Sequence, residues 1–306
     1  VNALAAGGKL NEYLNESERG VIRDWLLKQQ YKEVHPYTGA APGGWAWTDL
    51  PGGVPDADDT SGAVLALAEL GEWGKSSDAV KASIRAAVGW LAGLQNRDGG
   101  MPTFCRGWGK LPFDQSCADI SAHGYSAAFV GWIIGTIDGE SSPKVQARNE
   151  RMRDRLAAYV SGSQSSNGAW DPLWFGNQHD QREVNRVDGT SRVLGLSMHY
   201  GGIDEKGMIE AQRFLHSRQH SIGSWGGVEH EHASIEETSL VVEALATCEE
   251  FEEIFDKRRA RWGVSRSPLM PKPAKPQAAD GAIVRGVHWL IEHTARGTSF
   301  PPSPIG

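Results

Sequence analysis

Tyr159-Val160-Ser161-Gly162-Ser163-Gln164-Ser165-Ser166-Asn167-Gly168-Ala169-Trp170 contains one copy of a repeated unit. The unit reads aromatic, Leu or Val, three residues, Gln, and then a Gly-x-Trp that ends six residues after the Gln. Trp90-Leu91…Gln95-Asn-Arg-Asp-Gly99-Gly100-Met101 and Phe214-Leu215…Gln219-His-Ser-Ile-Gly223-Ser224-Trp225 repeat it. An earlier copy, Trp25-Leu26…Gln30, reaches Gly43-Gly44-Trp45 only after an insertion, and a degenerate one runs from Trp289-Leu290 to Phe300. Copies spaced about 55–75 residues apart are the mark of a repeat architecture. Each follows a stretch whose apolar residues recur at the helix period: Glu18–Gln30, Val80–Gln95, Arg151–Gln164, Met208–Gln219 and Ala282–His293. A Gly-rich turn comes next, suited to a helix C-terminus that needs positive φ.

A second helix then opens on acidic or hydroxyl residues, the N-cap signature. These helices are Asp59–Leu70, Asp119–Ile134, Thr190–Met198 and Ser234–Cys248, the last with a Ser234…Glu237 capping box. They are richer in small and apolar residues than the first set. Alternating outer amphipathic and inner small-residue helices predict an all-α chain of the α/α toroid type, a six-hairpin-type barrel. The whole of residues 1–306 reads as one such barrel, with Asp256–Asp280, rich in Pro and in Arg/Lys, as an inserted exposed loop. Trp45, Trp170 and Trp225 read as packing residues between repeats, which accounts for a chain in which Trp (12) outnumbers Phe (8) and Tyr (6).

Composition removes several classes of function. Lys+Arg 31 against Asp+Glu 38 gives a formal charge of −7 without a basic cluster, unsuited to phosphate-backbone binding. The longest apolar runs, such as Val64–Ala68 and Trp132–Ile134, fall far short of the ~20 residues that span a bilayer. Three cysteines far apart (Cys105, Cys117, Cys248) point to a reducing compartment, here the cytoplasm, rather than to a disulfide scaffold. With no signal peptide and no Met at Val1, the expectation is a piece of a longer chain.

Chemistry concentrates in Pro55-Asp56-Ala57-Asp58-Asp59-Thr60, at the entry to the first inner helix. Three carboxylates in four residues cannot all ionise cheaply in a shared, poorly solvated space. Like charge and desolvation raise the pKa of at least one, producing a carboxylic acid still protonated near neutrality, as a general acid must be. Acidic helix caps and calcium-binding loops can look the same. The second inner helix opens Asp119-Ile120-Ser121-Ala122-His123, with Asp119 and His123 on one face at i, i+4. A histidine there could orient the proton of the acid.

Taken together, Gly43-Gly44-Trp45-Ala46-Trp47, the Asp56–Thr60 motif, the Gln…Gly-x-Trp units and Asp119–His123 resemble the squalene-hopene cyclase family of class II terpene cyclases, over nearly the whole chain. The similarity is to that family's C-terminal catalytic barrel. It implies that Asp58 protonates a terminal alkene or epoxide of a polyprene, with Asp56, Asp59 and Asp119 as its carboxylate shell and His123 as its hydrogen-bond partner. It further implies that Trp47, Phe104, Trp174 and Phe300 line the substrate path and stabilise carbocations through their ring faces. The resemblance implies no cofactor or metal, a companion N-terminal barrel in the same chain, and an isoprenoid hydrocarbon substrate. Peripheral contact with a bilayer, at the inner membrane face, follows from so oily a substrate. The chain departs from the family at Met101, where a repeat Trp is usual, at Thr103-Phe104-Cys105-Arg106-Gly107-Trp108, and at Trp174–Gln178.

Two other readings fit parts of the sequence. A protein prenyltransferase-like subunit would need a zinc site of Asp, Cys and His, and the three cysteines show no suitable Asp-x-Cys. His216 and His220, with Glu229-His230-Glu231-His232 nearby, could hold a metal but read as a solvated helix face and a polar loop. A non-catalytic toroid that binds an isoprenoid or a protein is the third, although a hydrocarbon binder gains nothing from burying carboxylates.

Overall fold

A computed structural model describes residues 1–71, 76–108, 114–139, 142–172, 184–227, 233–249 and 280–300. The Asp256–Asp280 insertion lies almost wholly outside them. The described elements are α1 (Asn2–Ala6), α2 (Leu10–Tyr13), α3 (Glu16–Gln29), α4 (Ala57–Leu70), α5 (Asp78–Leu94), β1 (Met101–Pro102), β2 (Ser116–Cys117), α6 (Ala118–Asp138), α7 (Pro143–Gly162), α8 (Arg186–Tyr200), α9 (Glu205–Ser217), α10 (Ile235–Glu249) and α11 (Asp280–His293). Strand structure among the described residues is confined to that two-residue pair and two isolated bridges. The outer helices of the repeats are α3, α5, α7, α9 and α11; the inner ones are α4, α6, α8 and α10.

The chain divides into two compact units. The first comprises residues 1–116 and 123–158, with α4 packed against α5, α3 and α1. The second comprises residues 117–122 with the described parts of 159–257 and 266–306, in which α8 packs on α10 and α9, and α10 on α11. Trp170, Trp225, Leu194, Leu215, Val241 and Leu245 are at the centre of the second unit's core.

The helices start where the side chains cap them. Asn15 and Glu18 form a reciprocal capping box on α3. Asp56, Ser77, Asn185 and Asp204 accept from the third backbone N–H of α4, α5, α8 and α9. The expected box on α10 is only half formed. Ser234 Oγ accepts from Glu237 N, but the Glu237 carboxyl turns to Asn185 and the Ser234 N–H goes to the Trp225 carbonyl.

The repeat itself is a hydrogen-bonded clamp. The amide Nε2 of Gln95, Gln164 and Gln219 donates to the carbonyl of the Gly four residues on, at 2.8–3.0 Å, and also to a carbonyl of the next outer helix: Met152, Gly207 and Ala282. Gln30 does the same to Gly43 and Ser83 across its insertion. The positive φ expected at the helix C-terminus falls instead within this turn, at Gly99, Gly168 and Gly223 (φ 98, 87 and 96). Glycine is required there for a second reason. A Cβ on Gly99 or Gly223 would come within 2.9 Å of the backbone oxygen of Arg155 or Arg285 on the next outer helix.

The tryptophans complete the clamp. The indole N–H of Trp45, Trp170 and Trp225 donates to Leu26, Val160 and Leu215 of the preceding outer helix. Their backbone N–H groups donate to Thr60, Thr190 and Thr238 at the start of the following inner helix. One residue thus ties the ends of α3, α7 and α9 to the beginnings of α4, α8 and α10.

Candidate active site

The clamp puts the acidic motif in place. With Thr60 bonded to Trp45, the turn entering α4 runs antiparallel between two extended segments. Asp56 N donates to the Trp45 carbonyl, Ala57 N to Thr103, and Cys105 N to Pro55. Asp56, the N-cap, is only 2% exposed, and its Oδ1 accepts from Asp59 N at 2.7 Å. Asp58 lies two residues further on, in the first turn of α4. Its side chain is 35% exposed, and its Oδ1 lies 2.6 Å from Nδ1 of His123 on α6.

These three carboxyls divide the labour by environment. Burial first, then the charge of Asp59 and a hydrogen bond with it, push Asp56 up to about 9. Burial and the charge of Asp58 also raise Asp59, against the lowering hydrogen bond to Asp56 and the charge of His123. Asp56 therefore retains a proton at neutral pH, and the cluster carries fewer than three negative charges. Asp59 and Asp58 are both accessible, and of the two it is Asp58 that bonds to His123.

A cavity of about 720 Å³ opens beside it, within the 300–1,000 Å³ usual for ligand pockets. Asp58, Asp59, His123, Gly62 and Trp47 are among its lining residues. Trp47, 48% exposed, meets Phe104 edge-on at 5.8 Å and Trp108 at 6.0 Å, and Phe104 and Trp108 are 5.7 Å apart. Trp108 is an aromatic that the sequence reading passed over. Its signal was present, as an aromatic four residues after Phe104 in the stretch that departs from the family pattern.

The other anticipated residues fall as follows. Asp119 is buried one turn before His123 in α6 and belongs to the second unit. Phe300 is 68% exposed. Trp174 and Glu229–His232 lie outside the described residues. Among the described residues, no group of three or more His, Cys, Asp or Glu could hold a metal ion, and no helix is long and apolar enough to cross a membrane. Cys105, Cys117 and Cys248 are free thiols.

The second unit shows what the same repeat position becomes without the histidine. Counted from the clamp threonines, Asp188 and Glu236 occupy the register of Asp58. Asp188 is fully buried, held by Arg192 at 2.9 Å, and burial pushes it up to about 6. It is a neutralised core group. The same register thus carries different environments, and at Asp58 it comes with a cavity and a histidine partner.

Asp56 yields a pH prediction. Its folded pKa lies above its unfolded value, so the folded state binds the proton more tightly, and stability falls as pH rises from the ordinary carboxylate range to about 9. Asp56→Asn keeps an acceptor for Asp59 N and removes the titration. It should raise stability at pH 8 by on the order of 1–3 kcal/mol and flatten the decline between about pH 5 and pH 9. Urea melts of both proteins across that range test this; an unchanged slope would show that Asp56 is ionised in the fold.

The sequence matches the squalene-hopene cyclase C-terminal domain over residues 3–300. It is 24% identical to enfumafungin synthase efuA of Hormonema carpetanum, over 95% of this chain and 21% of that protein. It is 29% identical to squalene hopane cyclase afumA of Aspergillus fumigatus (68% and 30%) and 25% identical to squalene–hopene cyclase of Zymomonas mobilis (73% and 34%). The chain thus spans about a fifth to a third of the length of these curated relatives. Its fold is similar to that of ent-copalyl diphosphate synthase from Streptomyces platensis (TM-score 0.58, 19% identity, 95% of this chain and 43% of that one). It is also similar to a protein from Actinoplanes (TM-score 0.62, 18% identity, 98% and 72%). The all-α, α/α-toroid fold class expected from the repeats is the fold of these neighbours.

Proposed function

The chain belongs to the squalene-hopene cyclase C-terminal domain family, and from that premise we propose that it is the catalytic part of a polyprene cyclase, with Asp58 as the proton donor. The observation that carries this reading is the 2.6 Å pair of Asp58 and His123 at the wall of a cavity that Trp47 also lines. The Asp58 carboxyl gives its proton to the terminal C=C of a squalene-like chain. The π electrons form the new C–H bond, and a carbocation is left for the next C=C to trap as a C–C bond. His123 Nδ1–H stabilises the carboxylate that remains, which strengthens the acid. The faces of Trp47, Phe104 and Trp108 offer negative quadrupole to the cation. Asp59 and Asp56 hold the neighbouring charge down, and Asp119 completes the carboxylate set. Trp174 and Phe300 belong to the same reading as later contacts along the substrate path.

The proposal extends to the rest of the protein. Residues 1–306 act as a single barrel equivalent to the catalytic half of a two-barrel enzyme, and a companion N-terminal barrel in the same chain closes the cavity. Exposed Trp25, Val34 and Leu50 on the cavity rim suit such a cover. The protein is cytoplasmic, with peripheral contact at the inner membrane face through which an oily substrate enters. Incubating the full-length protein with squalene and analysing the extracted hydrocarbons is the direct test, and the absence of any cyclised product overturns the reading for that substrate. In the same assay, His123→Ala should slow turnover by roughly 10²–10⁴, the size of a general-acid contribution. A His123→Ala enzyme of wild-type rate would leave Asp58 without its partner's role.

A further inference from the structure

Resting on the reading of Asp58 as the acid, we propose that Asp114, which lies outside the acid motif, is the positioning residue of this site. Its carboxylate fixes the Thr103–Cys105 strap, and that strap holds both the entry turn of α4 and the ring of Phe104. Oδ2 of Asp114 accepts from the backbone N–H of Thr103 at 3.1 Å and of Phe104 at 3.2 Å, while Oδ1 accepts from Gln115 N at 3.0 Å. With those amides held, the strap's remaining groups face the acid turn. The Thr103 carbonyl takes Ala57 N at 2.7 Å, and Cys105 N reaches the Pro55 carbonyl at 3.2 Å, so Asp56 and Phe104 are bridged antiparallel. Ala57 is the residue immediately before Asp58. A tilt of the strap therefore moves the base on which the Asp58–His123 bond is built.

Asp114 is itself anchored. Asn96, just past the C-terminus of α5, donates through Nδ2 to the Asp114 carbonyl and to Ser116 Oγ, both at 3.0 Å. Ser116 Oγ donates to Asp98 Oδ1 at 2.8 Å, and the same oxygen takes the Gly100 N–H at 3.0 Å. The chain of bonds runs from the repeat turn to the strap. In the turns of Trp45, Trp170 and Trp225, a threonine hydroxyl accepts the backbone N–H of the Trp itself. Two and three residues beyond Met101, where the repeat Trp is replaced, the Asp114 carboxyl holds the backbone N–H groups of Thr103 and Phe104 as an additional anchor. That anchor sits at the strap that carries Phe104 into the Trp47–Trp108 cluster.

The test uses Asp114→Ala and Asp114→Asn in the full-length protein, with three readouts: peptide-resolved amide exchange across Ala57 and Phe104, the near-UV circular dichroism of the Trp47–Phe104–Trp108 cluster, and kcat and KM on squalene. Asp114→Ala is expected to keep its helical signal, to exchange at Ala57 and Phe104 about tenfold faster or more, and to lose near-UV intensity. Its kcat should fall by about tenfold to a hundredfold with KM within about twofold, the cost of an ångström-scale misplacement. Asp114→Asn, which keeps an acceptor oxygen, should recover part of each. Wild-type exchange and near-UV spectrum in a folded Ala variant overturn the proposal, and so does altered exchange with unchanged kcat. If the Ala variant does not fold, the Asn variant decides on the same readouts: exchange several-fold faster with reduced kcat supports it, and wild-type values overturn it. A failure of the cyclase reading would appear separately, as a wild-type protein that makes no product while the exchange and spectral effects of Asp114 persist.

Discussion

Asp58→Asn in the full-length protein is expected to abolish cyclisation and leave the fold intact. An amide matches the carboxyl in shape and can still face His123, but it has no acidic proton to give, and alkene protonation has no easier route. The helix start does not suffer, because the cap of α4 is Asp56, whose Oδ1 holds the Asp59 N–H. Loss of product by at least the 10²–10⁴ of a general acid is the expected size. If Asp58 were only part of a helix N-terminus, the variant would instead lose about 1 kcal/mol of stability and remain fully active. Melting temperature and product formation on one sample separate the two, and a destabilised but active variant sinks the assignment.

The second large effect is on stability. Trp170→Ala should cost about 3–5 kcal/mol, the range for deleting a buried aromatic. Trp170 is fully buried in the core of the second unit, and its indole N–H is bonded to the Val160 carbonyl at 2.8 Å. Truncation leaves a large void and removes the indole bond to that carbonyl, which keeps only its bond from Ser163 Oγ among those described. The contrast is Trp47→Ala, whose half-exposed ring carries no such clamp; it should melt within about 1 kcal/mol of wild type while altering the products. Chemical denaturation of both variants checks the pair. A Trp170→Ala protein as stable as Trp47→Ala would show that the repeat tryptophans are not what ties outer to inner helices.

Much of the fold was legible because the repeat is a local device. A Gln, a Gly that must take positive φ and a Trp at fixed offsets have one job each within a single turn. Hence most outer and inner helices appear close to their expected bounds, while α7 starts at Pro143, eight residues before the expected Arg151, α8 starts at Arg186, four before Thr190, and α6 runs to Asp138, four past Ile134. Local reasoning failed where a side chain had a better partner far away in sequence. Glu237 abandons its capping box for Asn185, 52 residues distant. The positive φ lies within the turn and not at the helix end, because the Gly must pass against the backbone of the next outer helix.

For the site, composition and spacing determined that carboxylates would crowd at the entry of α4 and that one at least would hold a proton. They could not decide which. Burial raises Asp56 to about 9, while Asp58 and Asp59 share the cavity and His123 falls to Asp58, because successive residues at a helix N-terminus point in different directions and only tertiary packing sets which direction is dry. Likewise the sequence marked Trp47 and Phe104 but not Trp108 or Asp114, since their roles arise from a strap folded back across the acid turn, a pairing between segments that no local pattern encodes.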